Sequence, residues 1–182
     1  GKTYFGGAPA DSGDGAGILG QEYDIIDDYG RKSRVRAVRN SSTVTVYGKA
    51  LALLNPAGTA IIGVARTDAA RPVAPIDEKL SSNGCAANDI CYVVVKGLAM
   101  LKSQIAEVAA NIIAAGDLIN CVTINTATTA AATNGRIKTR ALSSAVTAAQ
   151  AELEGVIGRA VSSIATSGVT DSNILVDIFP VF

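Results

Sequence analysis

The rhythm of apolar and polar positions changes near residue 34. Residues 1–33, with "GGAPADSGDGAGILGQ" among them, are rich in Gly, Ala, Ser and Asp and follow neither a strand's alternation nor a helix's period. Such a stretch buries little apolar surface alone, so it is expected to be an extended N-terminal arm, ordered only where something holds it. From Arg34 onward the pattern shortens into β signals. "RVRAVR" (34–39) and "STVTVYG" (42–48) alternate β-branched and polar residues. "KALALL" (49–54) is followed by the turn "NPAG" (55–58) and then by "TAIIGVA" (59–65), and "ARPVAPID" (70–77), with two prolines, reads as an irregular crossing. After the loop "SSNGCAAND" (81–89), "ICYVVVKG" (90–97) is the strongest strand signal of the chain. "GDLINCVTI" (116–124), "GRIKTRA" (135–141), "GVIGRAVSSI" (155–164) and "NILVDIF" (173–179) complete the strands. Two stretches compete as helices: "SQIAEVAANIIAA" (103–115), and "TAAQAELE" (147–154) with a Thr147…Gln150 capping-box spacing.

Many short strands with Gly-rich turns predict an all-β fold. Residues 34–182 are expected to form one compact antiparallel β-barrel or β-sandwich, jelly-roll-like, with at most one or two short helices. A short echo between "IIGVART" (61–67) and "VIGRAVS" (156–162) fits either an internal duplication or the plain demand for Gly where backbones approach closely.

Composition narrows the function. At 48% apolar the 182-residue chain can build a core, but with 4% aromatics and no Trp that core must be Ala, Val, Ile and Leu. Sixteen cations balance sixteen anions, whereas a nucleic-acid-binding domain draws its affinity from a basic excess, so direct nucleic-acid binding is not expected. No apolar run approaches the length of a membrane span, and no signal-peptide pattern is present, so no membrane role is expected. The chain has no His, which removes the commonest general base, metal ligand and nucleophile partner together. Cys85, Cys91 and Cys121 are an odd number and lack zinc spacing. Buried thiols suit Cys91 and Cys121, while Cys85 lies in a loop, free or bridged to Cys91. "GDGAG" (13–17) has neither the strand and helix of a phosphate loop nor the alternate carboxylates of a calcium loop. The Thr- and Ala-rich "NTATTAAATNG" (125–135) lacks a regular repeat and reads as a surface loop. No catalytic centre, metal or cofactor is expected.

The most charged stretch is "DDYGRKSRVRAVRN" (27–40), with Arg31, Lys32, Arg34, Arg36 and Arg39 crowded behind Asp27 and Asp28. In an extended chain Arg34 and Arg36 point one way and Val35 and Ala37 the other, as on a half-buried strand with a wet face. Arg outnumbers Lys here, and Arg suits bidentate carboxylate contacts at protein interfaces. Glu22, Asp24, Asp27 and Asp28 are the acidic groups nearest in sequence, available to a neighbouring copy.

Taken in order, "VRAVRNSS", "GKAL", "IIGVA", "NDICYVVVKGLAML", "IIAAGDLI", "GRIKTRA", "VIGRAVSS" and "NILVDIFPVF" resemble tailed-bacteriophage capsid decoration (cement, head-stabilising) proteins. The resemblance spans residues 34–182 and leaves the arm uncovered. It implies a non-enzymatic β-rich virion protein, made in the host cytoplasm. Such a protein sits on the outer capsid surface, forms homo-oligomers with a trimer favoured, and clamps neighbouring major capsid protein subunits. A head-fibre base or tail component is the alternative, and a glycan-binding module is disfavoured by the scarcity of aromatics. The resemblance carries no point residues. The expected capsid or inter-subunit contacts are therefore Tyr4, Phe5 and Tyr23 of the arm, with Arg31, Lys32, Arg34, Arg36 and Arg39.

Overall fold

The computed structural model of the chain describes residues 2–4, 19–27, 30–64, 72–103, 113–121, 135, 137–139, 156–164 and 173–182. Its strands are β1 (Lys2–Tyr4), β2 (Glu22–Asp27), β3 (Lys32–Asn40), β4 (Leu51–Leu54), β5 (Ala60–Val64), β6 (Val73–Pro75), β7 (Ile90–Lys102), β8 (Leu118–Cys121), β9 (Ile137–Thr139), β10 (Val156–Ala160) and β11 (Asn173–Ile178). They form one sheet in the order β6-β4-β5-β3-β7-β11-β10-β8-β9, with β2 attached to β3 and β1 to β2. β3 and β5 pair in parallel and the other ladders are antiparallel, so the sheet is mixed. The fold is all-β, with no helix among the described residues. The sheet is not closed, and of the two expected architectures the sandwich-like one fits it.

β7 organises the molecule. Its sequence "ICYVVVKGLAMLK" is nearly continuously apolar because both of its faces are covered. Cys91, Val93 and Val95 join an apolar cluster with Val38, Leu54, Ile61 and Ile76. Tyr92 and Val94 join a second one with Val35, Leu101, Ile119 and Ile174. Each fully buried Val, Leu or Ile contributes about 1.5–3 kcal/mol, so aliphatic residues alone can hold this core.

β7 changes partners at Gly97. Residues 90–97 pair with β3 and residues 97–102 with β11. Gly97 has φ +90°, and a Cβ there would lie 2.7 Å from the Lys32 carbonyl oxygen. Just before it, a bulge takes Val95 out of register with β3. The Val95 carbonyl instead accepts the N–H of Val181 at 3.1 Å, tying the segment after β11 to the centre of the sheet.

Several expected elements differ. Residues 22–33, assigned to the arm, contain β2 and the start of β3, and Tyr23 and Ile25 are buried in the β11-side cluster. β1 pairs with β2, placing Tyr4 opposite Ile25. "STVTVYG" is not a strand. Its bends carry a lone bridge from Val46 to Cys85, because Asn40 redirects the chain as β3 ends. Asn40 Nδ2 donates to the Val44 carbonyl at 2.9 Å, while its Oδ1 accepts the Ser42 N–H and Oγ–H. "ARPVAPID" does hold a strand, β6, whose residues 73–75 pair with β4; Pro75 can join because β6 is the terminal strand of the sheet order and pairs on one side only. Of the helix expected over 103–115, Ser103 and Ile113 form β-bridges and 104–112 lie outside the described residues, as does 147–154. The Ile-Gly echo falls on two unlike sites: a Cβ at Gly63 of β5 would meet nothing within 4 Å, whereas at Gly158 of β10 it would collide with the Asp177 carbonyl. Close approach explains Gly158 only.

Candidate functional site

The strand alternation of β2, β3 and β7 writes a charged ladder on one face. Cross-strand register sets Glu22 opposite Arg36, Asp24 opposite Arg34, and Ile26 opposite Lys32. On the other side of β3, Lys96 stands opposite Arg34, so Asp24, Arg34 and Lys96 form one row across three strands. Arg34 Nε donates to Asp24 Oδ1 at 2.8 Å, and its Nη1 lies 3.8 Å from Glu22 Oε2. Arg36 donates from Nε and Nη2 to Glu22 Oε1, and its guanidinium carbon sits 3.9 Å above the Phe182 ring.

The electrostatics follow from these neighbours. The hydrogen bond from Arg34 holds the Asp24 carboxyl below its ordinary range, with the charges of Arg34, Lys32 and Lys96 adding to it. The same bond raises Arg34. Because Asp24 and Arg34 are exposed, this pairing orders the surface more than it stabilises the fold. Four cations, Lys32, Arg34, Arg36 and Lys96, meet two carboxylates, Glu22 and Asp24, so the face keeps a positive excess. Beside it runs a groove of about 710 Å³ lined by residues 21–26, 32–34, Lys96 and Gly97. Such a face can take an anionic group between its cations. Its own carboxylates repel a polyphosphate and suit the mixed charge of a protein surface.

The expected contact residues divide accordingly. Lys32 and Arg34 are exposed on the ladder. Arg36 is on it too, but with a side chain 14% exposed it is taken up by Glu22 and Phe182. Arg39 turns to the other face, where its Nη1 donates to the Asn88 carbonyl at 2.6 Å, and Arg31 is half-buried beside Gly30. Tyr23 serves the core: it is 8% exposed and packs edge-on against Tyr92 with centroids 5.8 Å apart. Tyr4 ends β1, and Phe5 lies outside the described residues. Glu22 and Asp24 serve arginines of their own chain. Sequence reasoning passed over Lys96, although a single charge inside "CYVVVKGLAM" was a visible signal, and it passed over Phe182, whose contact with Arg36 spans the chain.

A scan against protein-family models finds no match for this chain, and a search of curated proteins finds no matching sequence.

Proposed function

We propose that the protein is a structural component of a phage particle that binds the outer surface of an icosahedral capsid, as a homotrimer, and cements adjacent major capsid protein subunits. The observation that carries this reading is the order of motifs from "VRN" to "NILVDIF". In support, four of these motifs, "VRN", "NDICYVVVKGLAML", "VIGRAVSS" and "NILVDIF", fall on β3, β7, β10 and β11, central strands of an all-β fold. "IIGVA" falls on β5 and part of "GRIKTRA" on β9, the last strand of the sheet order. The positive ladder offers arginines and lysines to acidic protein surfaces, and Val44, Tyr47, Phe179 and Phe182 leave apolar side chains exposed nearby in sequence to it or on the final segment. A ligand that binds only the assembled lattice stabilises it by mass action, and repetition over many lattice sites turns weak contacts into a large total.

Mixing the purified protein with phage heads and sedimenting them should give a fixed ratio to the major capsid protein. Failure to sediment with any head would overturn the proposal. The contribution of the ladder is tested by Lys32→Glu with Lys96→Glu, two exposed positions whose reversal leaves the core untouched. Head affinity should fall about tenfold at low salt, with the difference shrinking as salt screens it. Unchanged affinity would remove the ladder from the contact.

A further inference from the structure

The turn before β7 brings two thiols together inside the core. Cys85 follows Gly84 and exchanges backbone hydrogen bonds with Val46, at 2.8 and 3.0 Å. Cys91, in the first turns of β7's pairing, stands opposite Val38. Both cysteines are fully buried and free, and both belong to the same apolar cluster. Asn40 closes the segment between them. Its Nδ2 donates to the Cys85 carbonyl at 2.9 Å, its backbone carbonyl accepts the Asn88 N–H at 2.7 Å, and its own N–H donates to Asp89 at 2.8 Å. Arg39 adds its bond to the Asn88 carbonyl. Within this clamp the Cys85 thiol donates to the Ala86 carbonyl at 3.8 Å. The neighbouring Cys85, and then burial, pushes the Cys91 thiol well up, whereas Cys91 draws Cys85 down. The third cysteine, Cys121, sits on β8, which pairs with β9 and β10 and not with the strand that carries Cys91.

We propose that Cys85 and Cys91 are an oxidisable pair that a low-molecular-weight disulfide of the oxidised-glutathione class converts into an intrachain bridge closing residues 85–91. The Cys85 thiolate attacks one sulfur of the small disulfide. A mixed disulfide forms, and the first small thiolate leaves with the proton that Cys85 gave up. Cys91 then loses its proton and attacks Cys85 Sγ, expelling the second small thiolate, which takes that proton. Two protein thiols are oxidised and one small disulfide is reduced to two thiols. Because both sulfurs are buried, the oxidant enters only when the segment 86–88, whose side chains are exposed, opens. Oxidation is therefore slow and gated by the Asn40 and Arg39 clamp. This inference does not depend on capsid binding.

The test incubates the full chain with oxidised glutathione, unfolds it in guanidinium with iodoacetamide to block every remaining thiol, and digests with trypsin. Lys79 and Lys96 bound a peptide, residues 80–96, that holds both cysteines. It should appear lighter by two hydrogens and unalkylated, with Cys121 alkylated. The oxidised protein should melt roughly 5–10 °C higher, a gain that dithiothreitol reverses. Arg39→Ala should hasten the oxidation without changing its product. A stable glutathione adduct on Cys85, a link to Cys121, or an 80–96 peptide that stays doubly alkylated would each overturn the proposal.

Discussion

Replacing Gly97 with valine is expected to abolish the folded protein. At φ +90° the backbone already lies where L side chains are strained, at about 1–3 kcal/mol for a residue forced there. The larger effect is steric. A Cβ would stand 2.7 Å from the Lys32 carbonyl oxygen and 3.0 Å from Ser33 Cα, both backbone atoms of β3 that cannot rotate aside. Relieving the overlap means separating β3 from β7 at the point where β7 hands over to β11, which brings the total above ~4 kcal/mol, much of a typical domain's stability. Gly116 provides the internal comparison. It has φ +96° but nothing within 4 Å of an added Cβ, so Gly116→Val isolates strain from collision. Thermal denaturation followed by circular dichroism should show Gly116→Val folded with a lowered Tm and Gly97→Val unfolded or insoluble. Equal behaviour of the two would refute the steric account.

The second large effect is expected at Asn40. This fully buried amide is bonded on both sides: Nδ2 to the Val44 and Cys85 carbonyls, Oδ1 to the N–H and hydroxyl of Ser42. Asn40→Ala removes these four hydrogen bonds from a buried site, although the Cys85 carbonyl keeps the Val46 N–H and the Val44 carbonyl the Ser42 hydroxyl. It should cost about 3 kcal/mol, lowering Tm by about 10 °C. Asn40→Asp is sharper still. It keeps acceptors for Ser42 but turns a carboxylate on two carbonyl oxygens in a dry site, so it should be at least as damaging despite its near-identical shape. A Tm for Asn40→Asp matching the wild type would show that the two carbonyl bonds contribute little.

Much of the β architecture was legible because extended backbone alternates its side chains locally. "ICYVVVKG" reads as the strongest strand of the chain, and "RVRAVR" as a half-buried one with Arg34 and Arg36 opposed to Val35 and Ala37; they lie on β7 and β3. β2 was harder. Its alternation, Tyr23 and Ile25 inward with Glu22 and Asp24 outward, is short and follows a Gly-rich run that hides it. The misread "STVTVYG" shows the converse. Its β-branched residues favour a strand, but the Asn40 side chain bends the backbone away before any ladder can form. The site was half legible: the cations were evident and their partners were not. Glu22 and Asp24 were visible as acids near in sequence, yet only the β2–β3 register tells which arginine each one meets.

From residues alone came an all-β chain, a core of aliphatic side chains with almost no rings, and a cationic strand face, all of which depend on composition and on neighbours one or two positions apart. Tertiary structure decided where that face ends. Along β3, Arg34 and Arg36 share a face with Val38 and Asn40, yet the first two reach solvent or its edge while the last two are sealed. The switch arises because Leu54 of β4, Ile61 of β5 and Ile76 just after β6 pack with Val38 on the far half of the strand and leave the near half to β2. No local pattern encodes that cover, since it is supplied by segments brought together only by strand pairing.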